Sequence, residues 1–185
     1  MNDEKLIWTE KSSKDLLKTV VFDVTSRHSV SSDGLEGDYI VVNARDWAIV
    51  VPEDGDDFLM VKQWRHGEKA LSIEFPGGVI DAGEEPEQAA RRELLEETGC
   101  EAGIMTKLAT FNPNPALFSN HVHVFLAQNL KQTSAQKLDE DEYVNFFKMP
   151  KSEVLEKMGT SEMPHGLMLS ALGLYLAREK GDCCK

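Results

Sequence analysis

Short apolar segments separated by turn residues run along most of the chain. These segments are rich in Val, Ile, Phe and Tyr and are bounded by Gly, Asp or Pro, a pattern that is typical of β-strands. They predict strands at 18–27, 38–44, 48–51, 58–64, 104–111, 121–127 and 143–149. Residues 53–57 include one Gly and three Asp, so we expect a hairpin turn between the third and fourth of these strands.

Helical signals occur in three places. Glu85 and Pro86 begin a helix, with Pro in the first turn and acidic residues near the positive end of the dipole, and Gly99 ends it. Two further helices are predicted near 151–158 and 165–180. Because the strands occur in runs and the helices are few, the pattern predicts an α+β fold rather than alternating βαβ units.

Composition narrows the class of protein. The 185 residues include 32 Asp and Glu against 20 Lys and Arg, which gives a formal net charge of -12. This excess argues against a nucleic-acid binder and against a basic membrane-surface protein, because both attract phosphate groups with clustered Lys and Arg. A hydrophobic content of 41% is that of a folded chain, and one domain is the default at this length.

Cysteine usage and the absence of long apolar runs indicate the compartment. Cys100, Cys183 and Cys184 cannot form a disulfide framework, because two of them are adjacent. The first residues lack the pattern of a signal peptide, and no segment approaches the ~20 apolar residues of a membrane span. We therefore expect a cytoplasmic protein with no membrane partner.

A cluster of carboxylates lies on the first predicted helix. Glu93, Glu96 and Glu97 stand at i, i+3 and i+4, so they share one face within about a turn. Acidic clusters are ordinarily solvated helix faces, and like charges in this arrangement destabilise a bare helix. Mg²⁺ or Mn²⁺ would compensate the repulsion, because both prefer oxygen ligands. Arg92 precedes the cluster and is placed to hold one carboxylate by a bidentate pair.

The spacing of the residues in this segment favours a functional site over a merely solvated helix face. It resembles the signature of the Nudix hydrolases: Gly, five residues, Glu, seven residues, Arg-Glu, an apolar residue, any residue, Glu-Glu, any residue, Gly and an apolar residue. A chance match in a chain of this length is expected on the order of once in 10⁷. The positions are filled by Gly78, Glu84, Arg92, Glu93, Leu94, Glu96, Glu97, Gly99 and Cys100.

The resemblance implies a fold and a reaction. The implied fold is an α/β/α sandwich of mixed sheet with flanking helices, formed by residues 46–185 and preceded by an N-terminal β arm at 1–45. The implied reaction is divalent-metal-dependent hydrolysis of a nucleoside diphosphate linked to another group. In this resemblance Glu97 is both a catalytic residue and a metal ligand, and Glu84 and Arg92 organise the loop and helix. The other implied ligands are the Gly77 carbonyl, Glu93 and Glu96.

Segments outside the signature are similar to the branch of the family that hydrolyses ADP-ribose and related nucleoside diphosphate sugars. They are residues 61–65, 73–81 and 138–144. By position in that branch, Arg45, Arg65 and Val79 are expected to contact the substrate. Glu140 is expected to be the general base and Glu142 a metal ligand, with Glu142 as the alternative candidate for the base. The branch also implies a homodimer formed by the N-terminal strands.

One segment departs from that branch. Residues 112–121 lack the serine- and glycine-containing element, followed by an acidic residue, that ADP-ribose hydrolases commonly show. GDP-mannose or another nucleotide sugar therefore stays an alternative substrate. The residues argue against two other classes of protein. A dinucleotide-binding oxidoreductase does not fit, because the glycines near residue 78 lack the Gly-x-Gly-x-x-Gly spacing. A non-catalytic module is disfavoured because the helix retains all three carboxylates.

Overall fold

The computed structural model describes residues 3–138 and 142–181, which form two compact units. The first unit comprises the described part of Met1–Asp46 together with Asn112–His121, and the second comprises the described parts of Trp47–Phe111 and Val122–Lys185. A short 3₁₀ helix, Asp3–Leu6, precedes the first strand. The strands are β1 Trp8–Lys18, β2 Phe22–Ser31, β3 Glu36–Ala44, β4 Trp47–Asp54, β5 Asp57–Arg65, β6 Ala70–Glu74, β7 Gly77–Val79, β8 Cys100–Phe111, β9 Val122–Gln132 and β10 Val144–Pro150. The helices are α1 Pro86–Thr98, α2 Lys151–Lys157 and α3 Gly166–Glu179.

The first unit is a three-stranded antiparallel sheet in the order β1-β2-β3. The segment Asn112–His121 returns to this unit, where Val42 of β3 pairs with Phe118. The amide of Val42 donates to the carbonyl of Leu117 at 2.8 Å, and the Asn112 side chain donates to the carbonyl of Phe118 at 2.8 Å. The segment that departs from the ADP-ribose branch is therefore a structured part of the first unit.

The predicted strand at 18–27 is wrong in its first part, because the chain turns there. The Thr19 hydroxyl donates to the carbonyl of Phe22 at 2.6 Å and accepts from the amide of Phe22 at 3.0 Å, which closes the turn between β1 and β2. β1 was not predicted. All of its residues are exposed, so no alternation of apolar and polar positions marks it.

The second unit contains a mixed sheet of seven strands among the described residues. The main order is β10-β5-β4-β9-β8, with β6 paired to β5 and β7 paired to β4. β4 and β9 run parallel, and the other pairs are antiparallel. β6 and β7 were not predicted, because they are short and lie in a stretch interrupted by Pro76 and glycines.

Alternation along the central strands divides the apolar side chains between two faces of this sheet. Ile49 and Val51 of β4 belong to a buried cluster that includes Met168, Ala171 and Leu172 of α3. Ala48 and Val50 belong to a second buried cluster that includes residues of α1. The layers are therefore α/β/α, and the predicted α+β sandwich with flanking helices is confirmed.

Helix α1 begins and ends as its sequence predicts. Pro86 occupies the first turn, where its missing N–H costs no hydrogen bond. Gly99 has φ 70° and its amide donates to the carbonyl of Leu95 at 2.7 Å, which gives the left-handed helix end that favours glycine. Ala89, Ala90 and Leu94 bury one side of the helix against the sheet. Glu97 and Thr98 are buried together with them.

None of the described helices combines the length and the apolar character that crossing a bilayer requires.

Replacing Leu94 by Ala is expected to lower the free energy of unfolding by about 3 kcal/mol, because Leu94 is fully buried and the substitution opens a cavity under α1. Urea denaturation measures the change. Leu169→Ala is the matched control, since Leu169 of α3 is 44% exposed and its loss should cost under about 1 kcal/mol. Equal losses in the two variants would show that α1 is not anchored through Leu94.

Candidate active site

A polar cavity of about 340 Å³ opens in the second unit beside α1. Its walls come from β4, β5, β7, the loop after β7, α1 and the residues before β10. Six of the residues predicted from the sequence line it. They are Arg65, Gly77, Val79, Glu93, Glu97 and Glu142. Arg65 and Glu142, 77 positions apart along the chain, thus line one concave site.

Glu97 lies at the floor of the candidate site. It is 3% exposed, and its Oε2 accepts a hydrogen bond from the amide of Gly77 at 2.9 Å. That amide comes close because β7 lies directly against β4: a side chain at position 77 would collide with the carbonyl oxygen of Ala48. Glycine at this position therefore allows the backbone of β7 to meet the carboxylate of α1.

Burial sets the protonation of the two inner carboxylates. Burial raises the pKa of Glu97 to about 8, and repulsion from Glu93 and Glu142 acts in the same direction, although the Gly77 amide and Arg65 oppose the shift. Burial also raises the pKa of Glu93, against the opposing effect of Arg92. The site therefore disfavours negative charge as long as no further cation enters it.

Arg92 ties the loop after β7 to the helix. Its Nε and Nη2 donate to the two oxygens of Glu84 at 2.9 and 3.0 Å, and Nη1 donates to Glu93 at 2.8 Å and to Glu96 at 3.1 Å. Nη2 also donates to the carbonyl of Val79 at 3.1 Å. Because these carboxylates surround it, the pKa of Arg92 is raised well above its usual range. The hydrogen bonds explain how neighbouring carboxylates on one helix face are held in fixed orientations.

Arg65 is held by a residue that the sequence analysis missed. Its Nε donates to Oε1 of Glu74 at 2.8 Å and its Nη2 donates to Oε2 at 2.5 Å, while Glu74 is fully buried. A signal was present, since Glu74 stands among apolar residues in the segment 71–75 and a buried carboxylate requires a partner. Burial raises the pKa of Glu74, but the Arg65 guanidinium outweighs burial and lowers it below its usual value.

Three predicted residues remain, of which Glu96 is described in the second unit and is not among those that line the cavity. Glu96 lies one helical turn from Arg92, is partly exposed, and bonds to Arg92. Arg45 belongs to the first unit, where its carbonyl accepts a hydrogen bond from Asn120 at 3.0 Å. Glu140 lies outside the described residues, so its predicted role as general base stays a prediction.

The donor set fits a hard divalent cation. Within residues 3–138 and 142–181, no group of three or more His, Cys, Asp or Glu side chains has the spacing of a preformed metal site. The chemistry of the donors nevertheless suits such an ion, because Glu93, Glu97 and Glu142 repel one another across a cavity and provide only oxygen ligands. A dication would relieve the repulsion that raises the pKa of Glu93 and Glu97.

Comparison with known proteins gives consistent results. A family model described as NUDIX domain matches residues 43–168. An ADP-ribose pyrophosphatase of Bacillus subtilis (strain 168) is 37% identical over 117 residues, which cover 63% of this chain and 63% of that protein. A GDP-mannose pyrophosphatase of Escherichia coli O1:K1 / APEC is 33% identical over 109 residues, which cover 57% of this chain and 56% of that protein. The matches thus span less than two thirds of the length of either relative.

A solved structure extends the similarity of the fold to almost the whole chain. The crystal structure of an ADP compounds hydrolase superposes with a TM-score of 0.82 and 25% sequence identity, covering 95% of this chain and 96% of that one. The similarity therefore takes in both units as well as the helix with the carboxylates.

In metal-free protein, the free energy of unfolding is expected to fall as the pH rises from 5 to 8, at up to about 1.4 kcal/mol per pH unit. The pKa of Glu97 in the folded state is about 8, above its ordinary value of 4.5, so between pH 5 and 8 the folded state holds a proton that the unfolded state has already largely released. Urea denaturation in EDTA across this range tests the effect. Glu97→Gln should show a flatter profile, because an amide does not titrate.

Glu87→Gln serves as the control for this pH profile, since Glu87 lies on α1 but is exposed and pairs with Arg91. It should keep the slope of the unmodified protein. The same slope in the Glu97→Gln variant would contradict the elevated pKa of Glu97.

Proposed function

This chain belongs to the Nudix family, and from that premise we propose that it hydrolyses the pyrophosphate bond of ADP-ribose or a related nucleoside diphosphate sugar. The products would be a nucleoside monophosphate and a sugar phosphate. The observation that carries the proposal is the cavity itself, in which the carboxylates of Glu93 and Glu97 lie together with the guanidinium of Arg65. Carboxylates that attract a cation and an arginine that attracts phosphate are the two groups that a pyrophosphate substrate requires.

The similar proteins support this class of substrate. The Bacillus subtilis relative is named an ADP-ribose pyrophosphatase, and the solved structure is named an ADP compounds hydrolase. A dinucleotide-like substrate also fits the size of the site, because a cavity of about 340 Å³ accommodates a pyrophosphate with part of its flanking sugars.

Nudix hydrolases depend on divalent metals in general, and we propose Mg²⁺ or Mn²⁺ for this chain. The residues that would hold the metal are the Gly77 carbonyl, Glu93, Glu96, Glu97 and Glu142. Bound there, the metal would neutralise phosphate oxygens and lower the pKa of a coordinated water. For Glu96, binding requires a carboxylate oxygen beyond the one that accepts from Arg92.

The protein's own groups would position the substrate. Arg65 is proposed to bind a phosphate, with its orientation fixed by Glu74. Val79 would offer packing from the cavity wall, since its carbonyl already accepts from Arg92. Arg45 is proposed as a further substrate contact. A general base must reach the attacking water by a hydrogen bond, and Glu140 is proposed for that role with Glu142 as its alternative.

GDP-mannose is the second candidate substrate. Two observations favour it: residues 112–121 depart from the ADP-ribose branch, and one relative is named a GDP-mannose pyrophosphatase. The two substrates share the pyrophosphate and differ in base and sugar. Selectivity between them therefore depends on groups outside the carboxylate cluster.

With Mg²⁺ present, the protein is expected to release AMP and a sugar phosphate from ADP-ribose faster than it cleaves ADP-glucose or NADH, measured by chromatography of the products. GDP-mannose belongs in the same panel, and faster cleavage of GDP-mannose would select the second candidate. No hydrolysis of any of the four would contradict the proposed function.

Glu97→Gln should reduce kcat at least about 100-fold, because it removes a metal ligand at the floor of the site. Glu101→Gln is the matched control, since Glu101 is exposed on β8 and lies outside the cavity lining. A Glu97→Gln variant with an unchanged rate would show that the carboxylate cluster is not the catalytic site.

We also propose that residues 1–45 form the arm of a homodimer. The turn between β1 and β2 supports this role, because it exposes a group of large apolar side chains that a solvated hairpin would not favour. These side chains are Leu16, Leu17, Val20, Val21 and Phe22. Burial of this group against a second copy would remove it from water.

Val20→Asp combined with Val21→Asp is expected to convert the dimer to a monomer, because two charges would be placed in the apolar interface. Light scattering coupled to size exclusion measures the mass. Ile104→Asp, which alters an exposed apolar residue on β8 in the second unit, is the control and should remain dimeric. A monomeric unmodified protein would contradict the proposal directly.

A further inference from the structure

Arg65 and Glu74 form an ion pair beside the candidate active site, and neither side chain is fully solvated. Glu74 is fully buried, and both of its oxygens accept from the guanidinium, at 2.8 and 2.5 Å. Arg65 lines the cavity, whereas Glu74 does not. Glu74 therefore lies behind Arg65 as seen from the cavity. Such a pair is costly to desolvate, so its presence calls for a reason beyond stability.

The electrostatic surroundings of this pair supply a reason. Glu97 and Glu142 line the same cavity as Arg65 and attract its charge. His165 is a further titratable group that interacts with Glu74, and burial lowers its pKa, so it is largely neutral at pH 7 and does not replace Arg65 as the counter-ion. Arg65 thus has three carboxylates around it, of which only Glu74 lies outside the proposed metal site.

We propose that Glu74 is a positioning residue that keeps Arg65 from pairing with the carboxylates of the candidate metal site. This inference rests on the proposed function. A guanidinium prefers a bidentate carboxylate partner, and in a partly buried site it would turn to Glu97 or Glu142 if Glu74 were neutral. It would then compete with a divalent cation for the same oxygens. With Glu74 charged, the carboxylates stay available to the metal and Arg65 stays oriented for a phosphate.

Binding of Mn²⁺ to the nucleotide-free protein, followed by calorimetry or by the electron spin resonance of the free ion, tests the proposal without any catalytic assay. Glu74→Gln should raise the Kd for Mn²⁺ about tenfold, as expected when a residue supporting metal ligands is lost. Arg65→Gln combined with Glu74→Gln should return the Kd to within about twofold of the unmodified protein, because the competing cation is then absent.

Glu53→Gln is the matched control. Glu53 also accepts from a cation in a partly buried pair, with Lys151 at 2.5 Å, but it lies outside the cavity lining. This variant should lower the melting temperature and leave the Kd for Mn²⁺ unchanged. If Glu74→Gln behaves in the same way, Glu74 has a structural role only and the proposal is overturned. A double variant that binds Mn²⁺ as weakly as Glu74→Gln also overturns it, because the effect would not pass through Arg65.

If Glu74→Gln does not fold, Glu74→Asp decides the question. The shorter side chain keeps the charge but loses the two-point contact, so the Kd for Mn²⁺ should rise about threefold, and an unchanged value contradicts the proposal. The outcome is separable from that of the proposed function. If the unmodified protein binds Mn²⁺ but cleaves no nucleotide sugar, the proposed function is refuted and the role of Glu74 can still be tested. If it binds no Mn²⁺, the proposed function and the proposed role of Glu74 are both refuted.

Discussion

The second unit is organised around carboxylates that repel one another. Glu93 and Glu97 are held on one face of α1 with little access to water, and burial makes their ionisation unfavourable. An isolated helix would not keep this arrangement. It persists because Leu94, on the same buried side of α1 as Glu97, anchors the helix in the core, and because Arg92 contacts three carboxylates at once. Packing of α1 against the sheet thus stabilises an unfavourable charge distribution beside the apolar contact.

The two short strands of the sheet help to assemble the candidate active site. β6 and β7 pair with different partners, β5 and β4, so that Gly77 lines the cavity and Glu74 lies behind Arg65. Gly77 donates from the backbone to Glu97, and Glu74 holds the side chain of Arg65. These two short strands lie on either side of Pro76, where the chain can neither donate a ladder hydrogen bond nor continue a single strand. The irregularity is therefore what places anionic and cationic groups side by side.

Much of this arrangement can be predicted from the sequence, at the places where a local pattern is typical of only one kind of structure. The signature spacing predicted α1 with its carboxylates, and alternating apolar residues predicted β4, β5, β9 and β10, which carry the core. β1 escaped prediction because every residue of it is exposed. Glu74 escaped because its role depends on Arg65, nine positions earlier, and the two side chains meet only once β5 and β6 have paired, with Val61 directly opposite Glu74 and Ala70 directly opposite Arg65. Local patterns do not encode such cross-strand partners.

The segment Asn112–His121 has a consequence for the order in which the protein forms. The chain completes β8, contributes this segment to the first unit, and then returns as β9. Asn43 of β3 thereby bonds to Ser119, 76 residues later at 3.0 Å. During synthesis the first unit cannot close until the ribosome has passed Trp47–Phe111, about half of the second unit, so β3 has to wait for a partner made long after it. Loop closure over such a distance is slow compared with hairpin formation. The N-terminal strands come first in the sequence, yet their unit is finished only when the segment Asn112–His121 has been made.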